Sequence, residues 1–120
     1  MTELTKAEEQ LMLILWEREK GFVKDLLEAY PEPKPAYNTV STIVRILESK
    51  GFVGHRPFGK SHEYYPLVSK DEYRSFSTEK LMEGYFSGSP SRLLSFFIEN
   101  KDLDASALDE MLRLIKESKS

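Results

Sequence analysis

The chain contains no cysteine, which excludes disulfides, thiolate nucleophiles and cysteine-based metal sites. Histidine is nearly as scarce. Only His55 and His62 occur, and no third imidazole lies near them at ligand spacing, so no metal site is expected. Long apolar runs are also missing. The longest, Leu11 to Trp16, falls far short of the roughly 20 residues that span a bilayer. The opening Met1-Thr2-Glu3-Leu4-Thr5 has no basic segment followed by an apolar stretch of signal type. A soluble, cytoplasmic protein without membrane insertion is expected. Catalytic signatures are absent as well: there is no nucleophile–base–orienter set and no phosphate-binding glycine loop. The expectation is no enzyme and no cofactor.

What is present supports a core. The 120 residues are 40% apolar and rich in aromatics, which excludes global disorder. That length suits one compact domain with a helical appendage, or two very small domains. So short a chain buries a modest fraction of its surface, so oligomerisation is a natural stabiliser. The net charge of −3 argues against a polyanionic partner until its distribution is considered. From Lys34 to His62 the bases Lys34, Arg45, Lys50, Arg56 and Lys60 face the single acid Glu48, a local excess of +4. From Asp71 to the end the balance is −3. An excess of four is common on a solvated surface, but its confinement suits a localised phosphate footprint.

Thr5-Lys6-Ala7-Glu8 reads as a capping box opening a first helix. Leu11, Met12, Ile14, Leu15 and Trp16 mark its buried face, and Gly21 is expected to end it. A short second helix runs from Val23 to Tyr30, closed off by Pro31, Pro33 and Pro35. In a third, Tyr37 to Lys50, Val40, Ile43, Val44 and Leu47 recur at helical spacing, with Lys50 and Gly51 suiting its C-terminus. Phe52–Phe58 and His62–Leu67 then read as a hairpin turning at Gly59-Lys60-Ser61. The order helix, helix, helix, hairpin is that of a winged helix-turn-helix. Ser69-Lys70-Asp71-Glu72 opens a helix to about Phe86, Pro90 starts another behind Ser89, and a last runs from about Asp104 to Ser118. The fold class is mainly α with a small β-wing. Residues 1–68 are expected to form the DNA-binding domain and 69–120 a helical dimerisation domain.

In a helix-turn-helix the second helix presents polar side chains to base edges in the major groove. Here these are Tyr37, Asn38, Thr39, Ser41, Thr42 and Arg45, whose mostly short side chains permit close approach. Arg56 and Lys60 of the wing would lie against the flanking backbone or minor groove. Asn38 could equally be a helix cap. Ser41, Thr42, Arg45 and Lys60 could be plain surface, and His55 and His62 are read as strand surface. Phe86, Leu93, Leu94, Phe96, Phe97, Leu108, Met111, Leu112 and Ile115 exceed what three short helices can bury alone. They are assigned to a homodimer interface, which would read a palindromic double-stranded site.

Several segments carry a more specific signal: Leu4-Thr5-Lys6-Ala7-Glu8 with Leu15-Trp16, Asn38-Thr39-Val40-Ser41-Thr42, Lys50-Gly51-Phe52-Val53, and Glu63-Tyr64-Tyr65-Pro66-Leu67-Val68. With them the chain resembles the BlaI/MecI-type penicillinase repressors. The resemblance implies a dimeric repressor of antibiotic-resistance or stress-response type on a palindromic operator. It also implies a membrane sensor-protease as signalling partner, with relief by a cut in the tail at an Asn-Phe bond. The corresponding place here is Ser95-Phe96, where serine replaces asparagine. The family's copper-responsive branch uses tail cysteines, and this chain has none. Arginine is common in the family at the place of Ile46, whereas here Arg45 stands one residue earlier. Two other readings compete: a ligand-sensing winged-helix regulator, and a winged-helix protein-interaction module.

Overall fold

The computed structural model describes residues 1–100 and 105–118, and within the last helix the side chains of 105–107, 109–110 and 112–113. The element order is α1 (Lys6–Arg18), α2 (Val23–Glu28), α3 (Tyr37–Ser49), β1 (Val53–Phe58), β2 (Ser61–Pro66), α4 (Lys70–Tyr85), α5 (Pro90–Asn100) and α6 (Ala105–Ser118). The chain divides into two compact units, Met1–Ser77 and Thr78–Ser120. The expected boundary after residue 68 falls where α4 is about to start; the packing of the first unit continues through the opening turns of that helix.

Local chemistry accounts for the starts of the helices. At α1 the Glu8 amide donates to Thr5 Oγ1 at 3.2 Å, and the Thr5 amide donates to Glu8 Oε1 at 2.9 Å. Both halves of the capping box are thus made. The Phe22 amide donates to Asp25 Oδ2 at 3.1 Å at the start of α2. Ser69 and Glu72 repeat the reciprocal pattern at α4. At α5 the Arg92 amide donates to Ser89 Oγ, with Pro90 in the first helical position. Helix α3 differs: its N-cap is Ala36, which offers no side-chain cap. Asn38 is therefore not the cap; it lies in the first turn, exposed.

The core of the first unit gathers Leu11, Met12 and Leu15 of α1, Leu26 of α2, and Val40, Val44 and Leu47 of α3, with Phe52, Val53, Tyr64 and Tyr73. Each apolar side chain so buried contributes about 1.5–3 kcal/mol. Tyr73 of α4 closes this core. Its ring packs edge-on against Phe52 at 5.7 Å, and its hydroxyl accepts from the Leu4 amide at 2.9 Å. Beside it the Trp16 indole N–H donates to the Val68 carbonyl at 2.8 Å. Tyr73, absent from the sequence argument, is what ties α4 to the first unit.

The hairpin is antiparallel, with Val53 opposite Pro66 and Phe58 opposite Ser61. Gly59 takes φ +60 at the first of two loop positions, the arrangement a type II′ turn requires and glycine allows. Of the two adjacent tyrosines, Tyr64 is core and Tyr65 lies over Gly54, where a Cβ would come within 2.9 Å of its ring. Gly21 departs from expectation. Helix α1 ends at Arg18, and Glu19 takes the left-handed turn at φ 72. Gly21 instead pairs with Tyr64, exchanging both backbone bonds at 3.0 and 2.8 Å. The link between α1 and α2 thereby pins the wing, and a hydrogen bond this remote in sequence leaves no local signature.

In the second unit most apolar residues of α5 stay open. Leu94, Phe96, Phe97 and Ile98 are 38%, 45%, 36% and 43% exposed, and Leu112 of α6 is 51% exposed. Phe86 and Leu93 are half-buried, and Phe86 packs edge-on against Phe96 at 5.7 Å. The side chains of Leu108, Met111 and Ile115 lie outside the described residues. Ser95 and Phe96 are both exposed, inside α5.

Candidate nucleic-acid interface

Helix α3 owes its two faces to its sequence. Val40, Val44 and Leu47 are buried, while Asn38, Thr39, Thr42, Arg45, Ile46 and Ser49 are exposed. Thr42 Oγ1 donates to the Asn38 carbonyl at 2.9 Å. Arg45 folds back along the helix, its Nη2 donating to Ser41 Oγ at 3.0 Å. The outer face is thus orderly before any partner arrives, which lowers the entropy lost on binding.

Between α2, α3 and the wing runs an open groove of about 510 Å³, lined by Lys24, Tyr37, Ser41, Phe58, Lys60 and His62 among others. It brings together three of the residues expected from sequence: Tyr37, Ser41 and Lys60. Thr42 and Arg45 line a separate shallow depression with Ile46 and Ser49. Thr39 lines a third, beside Pro31, Pro33 and Pro35. Arg56 is exposed, across the ladder from Glu63.

The positive charge is assembled differently from the sequence expectation. Lys34 donates to the Glu28 and Tyr30 carbonyls at 2.7 and 2.6 Å, closing the end of α2. Lys50 donates to both Glu8 oxygens at 2.7 and 2.9 Å. Burial alone would raise the Glu8 pKa, but the bonds from Lys50 and Thr5 outweigh it and hold the carboxyl below its usual value. Two of the five cations in the basic stretch therefore serve the fold. Arg45, Arg56 and Lys60 remain at the surface, and Lys24, from outside that stretch, joins Lys60 at the groove. No sequence signal singles out Lys24; only the packing of α2 against the wing brings it there.

The wing is fastened to α3. His55 Nδ1 is hydrogen-bonded to the Glu48 carboxylate. The His55 ring stacks on His62, with centroids 4.3 Å apart. Burial first, then the Glu48 carboxylate, raises the pKa of the neighbouring Tyr64 phenol, with Arg45 opposing. Edge-to-face packing of Phe22 on Phe58 at 5.7 Å ties the wing to the start of α2. The result is a groove that Tyr37 and Ser41 of α3 share with the cationic hairpin tip, next to the exposed polar face of the helix. Such a frame suits a curved polyanion with a helix in its major groove and a loop on the flanking backbone.

Comparison with known proteins gives a consistent result. The sequence profile of a family described as "Penicillinase repressor" matches residues 4–117. The methicillin resistance regulatory protein MecI of Staphylococcus aureus (strain N315) is 23% identical over 114 residues, covering 94% of this chain and 93% of that protein. The penicillinase repressor of Bacillus licheniformis is 18% identical over 119 residues, covering 98% and 93%. Among solved structures, the DNA-binding domain of the repressor BlaI superposes with a TM-score of 0.52 at 19% identity, over 59% of this chain and 88% of that one. That likeness establishes the winged-helix fold of the N-terminal part.

Proposed function

The chain belongs to the penicillinase repressor family, and from that premise we propose that it represses transcription as a cytoplasmic homodimer bound to a palindromic operator. The observation that carries this reading is one open groove that brings Tyr37 and Ser41 of α3 together with Lys24 and the Lys60 wing tip, beside an exposed polar face of the same helix. In this reading α3 enters the major groove, with Asn38, Thr42 and Arg45 at base edges. Lys24 and Lys60 meet the phosphates of the strand between major and minor grooves, and Tyr37 and Ser41 line its path. Arg56 adds charge from the outer strand of the wing.

Dimerisation through residues 69–120 supplies the second half-site. The exposed Leu94, Phe96, Phe97 and Leu112 are its anchors, and a second copy is the occupant this apolar surface fits. A cut at Ser95–Phe96 by a membrane sensor-protease would sever these anchors from one another and release the operator. That peptide bond lies within α5, so a protease would need the helix to open first. Among the described residues no helix is long and apolar enough to cross a membrane. Chemistry on DNA is not part of the proposal; the chain's task is binding.

The test is a fluorescence-anisotropy titration against duplexes tiling the gene's own upstream region, at two salt concentrations, with random duplex as competitor. Tight, salt-sensitive binding of two subunits to one inverted repeat is expected. Equal weak binding to every duplex would reduce the activity to generic phosphate attraction. No binding at low salt would overturn the proposal in favour of a protein-interaction module.

A further inference from the structure

On the outer face of α3 a single apolar side chain interrupts the polar set. Ile46 is 41% exposed and takes no part in the core, whereas Ile43, one turn earlier, packs against it. A lone exposed isoleucine is ordinary, but the surroundings of this one are specific. With Thr42, Arg45 and Ser49 it lines a shallow depression on the surface that α3 would offer to bases. Thr42 and Ser49 carry shorter side chains than Ile46. Arg45 lies about 100° away around the axis, with Thr42 between them, and bends toward Ser41 through its bonds to that residue's carbonyl and hydroxyl. The guanidinium thus stands away from Ile46, and the hydroxyl-bearing Thr42 and Ser49 are the polar residues that share the depression with them.

Such a surface, polar along one edge and apolar along the other, matches a base pair that offers one apolar group among acceptors and donors. In the major groove only the thymine 5-methyl is apolar. We propose that Ile46 reads a thymine methyl in each half-site, while Arg45, on the other edge, takes a guanine or phosphate contact. The proposal rests on the DNA-binding reading above and adds to it a determinant of sequence preference. The methyl would be buried between the Ile46 side chain and its base. Loss of one buried methyl weakens association about fourfold.

The probe is the tightest duplex that the full-length protein selects from a random-sequence library. Each thymine is replaced singly by deoxyuridine, which removes only the methyl group. The unaltered protein should lose about fourfold in affinity at one thymine per half-site. Ile46→Ala should bind the thymine and uracil duplexes equally, and Ile46→Val should keep part of the difference. The valine variant guards against any folding defect, and thermal melting of both variants checks it directly. Indifference of the unaltered protein to every replacement, on a duplex it binds tightly, would overturn the inference and leave DNA binding intact. So would a uracil effect that persists undiminished in Ile46→Ala. If no duplex is enriched at all, the DNA-binding reading fails and the inference falls with it.

Discussion

Glu8 carries two roles on one carboxylate. It accepts from the Thr5 amide to complete a cap and receives Lys50 from the end of α3. Glu8→Gln keeps the capping geometry and removes the charge, so it isolates the ion pair. Loss of about 1–2 kcal/mol is expected at neutral pH, since the carboxylate is buried but Lys50 can still turn to water. The folded-state pKa lies below the ordinary 4.5, so the contribution is complete above that value. It should fade as pH falls through the lowered one. Urea unfolding at a series of pH values should show the two proteins converging at the acid end and separated above it. Tyr30 gives the opposite case. Its hydroxyl is buried with no hydrogen-bond partner, and burial holds its pKa above the usual range. Tyr30→Phe should be neutral or stabilising by up to about 1 kcal/mol, and a gain in the urea midpoint would show it.

At the scale of elements, the wing acts as a clamp held from several sides. Glu48–His55 holds it to α3, Gly21–Tyr64 to the α1–α2 link, and Phe22–Phe58 to α2. This fixes Lys60 across the groove from Lys24. In the DNA-binding reading these two lysines meet phosphates, and phosphates carry no sequence information. Lys24→Ala and Lys60→Ala should each weaken binding to every duplex alike and lower the salt slope of log K by about 1. In the same reading Thr42 and Arg45 face the bases, and their substitution should instead change the preference among duplexes. Anisotropy titrations over a salt series, on selected and random duplexes, separate the two classes. A lysine variant that altered preference without altering the slope would contradict this assignment.

For the whole molecule, the second unit leaves Leu94, Phe96, Phe97, Ile98 and Leu112 exposed in a single chain. The proposed dimer covers them. Phe96→Ser should therefore shift the protein from dimer to monomer in sedimentation equilibrium at micromolar concentration. It should cost operator affinity by far more than affinity for an isolated half-site, because linked half-sites bind with a high effective concentration. The melting of the first unit should hardly change, since its core lies within residues 1–77. A variant that remained dimeric would move the interface elsewhere on the chain.

The sequence alone determined the features that local physics controls. Thr5 with Glu8 marks the start of α1, and the Val40–Val44–Leu47 stripe orients α3. Gly59 permits the turn of the hairpin, and the order of these elements identifies a winged helix. Each depends on residues a few positions apart, where spacing and backbone preference suffice. Tertiary structure decided the rest. Gly21 reads as a helix stop but pairs with Tyr64, and Lys50 reads as a helix-end charge but reaches back to Glu8. Lys34 reads as footprint but closes α2, while Lys24, outside the basic stretch, stands at the groove. Tyr73 gives no sign of closing the first core. These partners are brought together only when the helices pack, and a side chain's charge does not say which remote group will bind it.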